Sequence, residues 1–138
     1  MGEFVKDKNA EIVIGAAIKV HRALGPGLLE STYQACLIHE VTRQGLRVRR
    51  EVAVPVVFDG VSLDCGYRLD LLVEEQLIVE VKSVERLMPI HTAQVLTYLK
   101  LTGARIALLL NFNSLTLKAG LKTFVGPGNE VPPKPWPG

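Results

Sequence analysis

Apolar residues along the chain fall into stretches with helical spacing and stretches with strand-like spacing. Residues 7–24 carry an apolar stripe at the spacing of one helix face, and a Gly-Pro-Gly segment follows it. A second helix is predicted over about 28–44, ending at Gly45, and a third over about 89–102, ending at Gly103. The pattern therefore predicts three helices.

The remaining apolar stretches have the spacing and composition of strands. Residues 47–58 are rich in valine, and Pro55 indicates an edge or an irregularity there. Asp59-Gly60 is a strong hairpin signal. Residues 105–112 form an almost continuous apolar run, which is typical of a strand covered on both sides. A short last strand is predicted over 121–125.

Two more strands flank a turn at residues 74–76. A three-residue turn pairs Val73 with Leu77 and places Asp70 opposite Glu80. A two-residue turn would move Asp70 to the apolar face, so the three-residue turn is preferred. One face is then uniformly apolar: Tyr67, Leu69, Leu71, Val73, Leu77, Val79 and Val81. The other carries the polar residues Arg68, Asp70, Glu80 and Lys82.

The order of these elements predicts an α/β fold, a mixed β-sheet flanked by helices. The third helix lies between the Glu80 strand and the 105–112 strand, so these two strands are expected to be parallel. Residues 1–125 are expected to form a single domain. Residues 126–138, rich in proline and glycine, are expected to be a flexible tail.

Composition narrows the class of protein. A hydrophobic content of 48% and a charged content of 22% exclude a mainly disordered chain, and the net charge of +2 permits nucleic-acid binding without requiring it. The two cysteines, Cys36 and Cys65, have the spacing of neither a metal knuckle nor a disulfide framework. No leader and no membrane-spanning run is visible, so a cytoplasmic protein is expected.

The predicted hairpin brings two carboxylates together. Residues opposite each other in an antiparallel pair lie roughly 5 Å apart at Cβ, so Asp70 and Glu80 repel unless a proton or a metal ion relieves them. Lys82 projects from the same face as Glu80. Either this is a chemical site, or Arg68 and Lys82 balance the two acids in a structural salt-bridge network.

Three motifs together resemble a known superfamily. Asp70, followed ten residues later by Glu80-Val81-Lys82 in a hairpin that precedes a helix, resembles the PD-(D/E)xK nucleases, although the leading proline is missing. Gln94 and Tyr98 match the QxxxY motif of several nuclease branches. Residues 27–33, GLLESTY, match the signature of the GxxExxY family within this superfamily. The resemblance covers residues 11–125 and implies a restriction-endonuclease-like core.

The resemblance implies a Mg²⁺- or Mn²⁺-dependent nuclease that cleaves DNA or RNA with a metal-activated water. Asp70 and Glu80 are suited to hold the metal, with the carbonyl of Val81 as a further ligand by resemblance. Lys82 is expected beside the attacking water and the scissile phosphate. Glu30, on the second helix, is expected to reach this cluster; alternatively it only complements the helix dipole.

Other polar residues receive supporting roles or none. By resemblance, Gln94 is expected to orient Lys82 or a metal-bound water, and Tyr98 to support it. Tyr33 is expected in the core, with its hydroxyl on a site carboxylate. His91, one turn before Gln94, is interpreted as a surface or cap residue, and Glu40 as structural.

Basic residues suggest where phosphates would bind. Arg47 and Arg49 share one strand face and, with Arg68, are expected to contact nucleic acid; a charged edge strand is the alternative for the first two. The competing function is a non-catalytic nucleic-acid-binding or assembly module that keeps the nuclease fold. A homodimer or a partner protein is expected to supply specificity, since no recognition module is visible.

Overall fold

The computed structural model describes residues 7–126. Three helices are present: α1 (Lys8–Leu24), α2 (Glu30–Arg43) and α3 (Pro89–Thr102). The strands are β1 (Val48–Ala53), β2 (Val56–Phe58), β3 (Val61–Leu63), β4 (Arg68–Val73), β5 (Leu77–Lys82), β6 (Ile106–Asn111) and β7 (Leu121–Val125). The expected tail from residue 127 onward lies outside the described residues.

Five strands form one mixed sheet in the order β1-β4-β5-β6-β7, and β2 and β3 form a separate two-stranded sheet. β5 and β6 are parallel, as the crossover through α3 predicts, and the other neighbours are antiparallel. The predicted α/β class, a mixed sheet flanked by helices, is confirmed and is consistent with a restriction-endonuclease-like fold. Among the described helices, none combines the length and apolar character needed to cross a membrane.

The sheet separates two hydrophobic cores. Apolar stripes of α1 and α2 pack on one face, against β-strand residues that include Leu71, Val79 and Leu108. α3 packs on the other face, against Leu72 and Ile78 among others. All six residues of β6 are buried, so the apolar run predicted to be covered on both sides is indeed covered.

The turn between β4 and β5 has the predicted length. Val73 pairs with Leu77 and Leu71 with Val79, which leaves residues 74–76 as the loop. Glu74 and Glu75 take left-handed backbone conformations, with φ of 51° and 57°. The register that faces Asp70 toward Glu80 therefore follows from local turn geometry.

Three details of the sequence prediction are wrong. The 47–58 run is two strands in different sheets, because Pro55 lacks the N–H that a continuous ladder needs. α2 begins at Glu30 rather than 28, since Leu29 is still extended. Leu69 packs in the α3-side core rather than with Leu71, so the alternation of β4 breaks between these residues.

Candidate active site

Asp70 and Glu80 lie where β4 and β5 separate. Regular pairing ends at Leu71 and Val79, and the two carboxylates replace the next backbone hydrogen bonds. The Asp70 N–H donates to Glu80 Oε2 at 3.0 Å, and the Val81 N–H donates to Asp70 Oδ2 at 2.8 Å. Each acid is thus held in place by backbone of the other strand.

Burial and neighbouring negative charges act on both acids. Glu80 is only 3% exposed, and burial, followed by the negative charge of Asp70, raises the pKa of Glu80 to about 8. Burial also raises the pKa of Asp70, while the Val81 N–H and the positive charge of Lys82 oppose that rise. A proton or a cation is needed at this pair near neutral pH.

One oxygen of each acid stays open. In residues 7–126, Asp70 Oδ1 and Glu80 Oε1 accept no hydrogen bond. No buried side-chain oxygen or nitrogen in that range is left without a partner, so both atoms reach solvent. The open oxygens provide two anionic ligand atoms for an incoming cation.

Lys82 lies at the carboxyl end of β5 in a cleft of about 700 Å³, which it lines together with Tyr67, Gln94 and Tyr98. Its charge lowers the pKa of both acids, yet its ammonium group forms no ion pair or hydrogen bond with any described residue. Arg68 pairs with Asp64 at 3.2 Å instead. The structural salt-bridge network considered for these residues is therefore wrong.

The 27–33 segment ties α2 to the end of β5. Glu30 Oε2 accepts the Ser83 N–H at 3.1 Å, and Ser83 Oγ donates to the Leu28 carbonyl at 2.6 Å. The negative charge of Glu30 acts on Asp70 and raises its pKa. Gly27 has φ of 101°, which favours glycine at this position. Glu30 thus sits beside the acid pair.

Tyr33 stabilises the same loop from within the core. Its hydroxyl donates to the Gly25 carbonyl and accepts the Leu28 N–H, and its ring stacks on Phe112 at 4.5 Å between centroids. The expected bond from this hydroxyl to a site carboxylate is absent among the described residues. It is wrong because loop backbone supplies both partners.

Tyr98, Gln94 and His91 are among the α3 residues that line the cleft. Tyr98 is buried beside the acids, and burial, then the charges of Glu80 and Asp70, raise its pKa to about 12. Gln94 lines the cleft, and its side-chain amide forms no hydrogen bond within residues 7–126. His91 lines it as well, while its Nδ1 accepts the Met88 N–H at 2.9 Å, so the cap interpretation of His91 is confirmed.

Two residues beside the site were missed from the sequence. The buried Asn111 side chain accepts the Val84 N–H and donates to the Val84 carbonyl, both at 3.0 Å, and so holds the segment after Lys82. Glu51 lies opposite Asp70 in the β1–β4 register, with φ of 52°, and its charge raises the pKa of both acids. The position of an asparagine at the end of a predicted buried strand could have indicated Asn111. No feature of the sequence indicated Glu51.

The predicted phosphate-binding arginines all have carboxylate partners. Arg47 pairs with Glu74 at 3.3 Å and Arg49 with Glu75 at 2.7 Å, both at the β4–β5 turn. These two arginines therefore lie toward the end of the hairpin opposite the acid pair. Arg68 is the nearest of the three in sequence to the site.

The donor set suits a hard divalent cation. No group of three or more histidine, cysteine, aspartate or glutamate residues within 7–126 is arranged to hold a metal. Mg²⁺, however, is usually bound through one or two carboxylates together with waters and substrate phosphates. The open oxygens of Asp70 and Glu80 meet that requirement.

Comparison with known proteins agrees with this geometry. A family model described as the PD-(D/E)XK nuclease superfamily matches residues 7–124, which span α1 through most of β7. No curated protein and no solved structure gave a match. Nucleases of this superfamily generally use divalent metals and act on nucleic acids. The chain belongs to the PD-(D/E)XK nuclease superfamily.

Proposed function

We propose that this protein is a divalent-metal-dependent nuclease of the GxxExxY type that hydrolyses phosphodiester bonds in DNA or RNA. The observation that carries the proposal is the buried Asp70–Glu80 pair, with one open oxygen on each acid and Lys82 close by in an accessible cleft. Burying like charges side by side is unfavourable, so the arrangement has a chemical rather than a structural rationale.

Asp70 and Glu80 would hold Mg²⁺ or Mn²⁺, with the Val81 carbonyl and Glu30 as further proposed ligands. The bound ion would lower the pKa of a coordinated water and offset charge at the phosphate. The backbone N–H groups of Asp70 and Val81 each hold one oxygen of the facing carboxylate, which limits how far the two side chains can move. Binding of the cation would offset the burial and the neighbouring negative charges that raise both carboxyl pKa values.

Lys82 is proposed to offset the negative charge that develops on the phosphate. It has no competing partner among residues 7–126, so its ammonium is available to substrate. Gln94 is proposed to orient Lys82 or the attacking water, since it lines the same cleft and its amide forms no hydrogen bond within 7–126. Tyr98 forms the buried wall behind the acids.

Arg47, Arg49 and Arg68 are proposed to contact nucleic-acid phosphates farther along the strand. Phosphate would compete there with the carboxylates of Glu74 and Glu75 for the first two. These exposed pairs are weak, so exchange for a phosphate costs little. A homodimer or a partner protein is proposed to supply specificity.

The deciding experiment measures metal binding and cleavage separately. Mg²⁺ or Mn²⁺ should raise the melting temperature of the wild type, because a ligand that binds only the folded state stabilises it by mass action. Asp70→Asn should remove that shift while keeping the fold. The wild type, and not Asp70→Asn, should cut at least one member of a panel of single-stranded, duplex and branched DNA and single-stranded RNA.

The alternative is a non-catalytic nucleic-acid-binding or assembly module. It is favoured because no group of three or more histidine, cysteine, aspartate or glutamate residues within 7–126 is arranged to hold a metal without help from other ligands. Binding of nucleic acid by the wild type without cleavage in either metal would establish it. An equal metal-induced shift in wild type and Asp70→Asn would overturn the ligand assignment itself.

A further inference from the structure

His91 has one ring nitrogen that the fold uses and one that it does not. Nδ1 accepts the Met88 N–H at 2.9 Å, so in this geometry the ring hydrogen resides on Nε2. Nε2 forms no hydrogen bond with the described residues, and the ring lines the same cleft as Lys82 and Gln94. The cleft therefore contains an N–H donor of determined position and no assigned acceptor.

Capping alone does not explain a histidine at this position. The third residue of a helix most often caps the preceding backbone N–H with glutamate or glutamine. Glutamate would also complement the positive end of the α3 dipole, which histidine does not. A carboxylate here would, however, put a negative charge into the cleft that holds Lys82. Histidine keeps the cap and presents a donor instead.

We propose that His91 donates a hydrogen bond from Nε2 to a non-bridging phosphate oxygen of the nucleic-acid strand bound in this cleft. The inference rests on the function proposed above and adds a phosphate-binding residue to it. Helical spacing puts His91 and Gln94 one turn apart on the face that lines the cleft. The strand would run along this face of α3, with the scissile phosphate at Lys82.

The test separates the capping role from the phosphate contact. His91→Glu retains a side-chain oxygen for the Met88 N–H but has no N–H donor, whereas His91→Ala removes both the cap and the donor without adding a charge. The melting temperature should fall in His91→Ala and stay near wild type in His91→Glu. His39→Glu is the matched control, because His39 is exposed on α2 and does not line this cleft.

Kinetics are measured on the panel member that the wild type cuts fastest. Both His91 variants should raise KM by about 10- to 100-fold with a much smaller change in kcat, since a hydrogen bond to a charged phosphate is made in the ground state and in the transition state alike. His39→Glu should behave as wild type. Long-range ¹H–¹⁵N spectra of the ring should show the hydrogen on Nε2.

Each alternative result overturns the inference and can be told apart from failure of the nuclease proposal. An unchanged KM in His91→Glu or in His91→Ala, with cleavage intact, removes the phosphate contact and leaves the nuclease. A ring hydrogen on Nδ1 also overturns the contact. If the wild type neither binds nor cuts any panel member, both proposals fail together, and the Asp70→Asn comparison shows whether a metal site remains.

Discussion

At the scale of single residues, Lys82 lies beside two acids in the cleft and yet forms no ion pair with either of them. Surface arginines of this chain, such as Arg43 and Arg49, are held by carboxylates, and their guanidinium pKa values are raised by those bonds. Lys82 lies near two acids without contacting either. Its ammonium is therefore free to meet a phosphate.

We expect Lys82→Ala to lower kcat by about 10²–10³-fold, the typical effect of removing one preorganised group at a developing oxyanion. Metal binding, measured as the shift in melting temperature, should survive. Lys82→Arg should rescue only in part, because a planar guanidinium does not replace a compact ammonium.

Lys100→Ala is the control for this prediction, since Lys100 is exposed on α3 and does not line the cleft. If Lys82→Ala cuts as fast as wild type, the observed cleavage belongs to another site or to a contaminant.

At the scale of elements, the 27–33 segment connects α2 to the end of β5, and we call this connection the joint. Ser83 is hydrogen-bonded to the Glu30 carboxylate and to the Leu28 carbonyl. The Tyr33 hydroxyl is hydrogen-bonded to the backbone at both ends of the Gly25–Leu28 loop. Asn111 clasps the segment after Lys82 from β6. Three elements thus converge on the carboxyl end of β5, where the candidate site lies.

The joint predicts a specific cost for losing one hydroxyl. Tyr33→Phe keeps the stacking on Phe112 but leaves the Gly25 carbonyl and the Leu28 N–H without their partner. We expect a loss of about 1–2 kcal/mol in the free energy of unfolding, measured by urea denaturation.

Tyr67→Phe is the matched control. The Tyr67 side chain is 48% exposed, and its hydroxyl forms no hydrogen bond within residues 7–126, so its removal should be nearly neutral. Equal losses in the two variants would contradict the account of the joint.

At the scale of the whole molecule, stability depends on pH through two buried acids, one with a raised pKa and one with a lowered pKa. Burial and Asp70 raise the pKa of folded Glu80 to about 8, against 4.5 for the ordinary side chain. Hydrogen bonds from Arg43, Gln44 and Lys19 lower the pKa of Glu40 to about 2. Glu40 is thus a structural acid, as its position in the sequence suggested. In Glu80, by contrast, burial and the charge of Asp70 disfavour the ionised form of the side chain.

Without metal, we expect stability to fall as pH rises from about 5 to about 8. Between these pH values the folded protein keeps a proton on Glu80 that the unfolded chain has already lost. The stability that protonated Glu80 contributes below pH 4.5 is therefore lost progressively until the pH passes the pKa of Glu80 in the folded protein. The loss should be about 2–5 kcal/mol, measured by urea unfolding in chelator. Glu80→Gln should abolish most of this slope and be more stable than wild type at pH 8.

Glu40 is expected to cause a loss of stability at low pH, and it is the comparison for Glu80. Its contribution is complete above pH 4.5 and is lost as pH falls toward 2, so Glu40→Gln should flatten the acid side only. A wild-type slope between pH 5 and 8 that persists unchanged in Glu80→Gln would contradict the assignment to Glu80.

Much of this molecule could be predicted from local patterns. The facing of Asp70 and Glu80 depends on turn length and on the two-residue period of strands, and both can be read from residues 67–82. Helix ends at Gly45 and Gly103 follow from their left-handed backbone, with φ of 94° and 71°. The parallel β5–β6 pair follows from the intervening helix.

Other features could not be predicted because they depend on contacts distant in sequence. Tyr33 could have bonded a site carboxylate, and only the folded Gly25–Leu28 loop supplied its partners. The change of face at Leu69 lies beside Glu51 of the neighbouring strand, which has a left-handed backbone conformation. Nothing in the sequence around Glu51 predicts that conformation.

The sequence by itself determined the α/β class, the three helices, the hairpin register and the identity of the acid pair, because short-range periodicity and turn chemistry control them. Only the tertiary structure decided which cations stay free. Arg68 pairs with Asp64 while Lys82 is left open in the cleft, and this depends on how β4, β5 and α3 meet in space. Ion pairing is a competition among side chains that become neighbours only on folding, so the sequence can list the competitors but not the outcome.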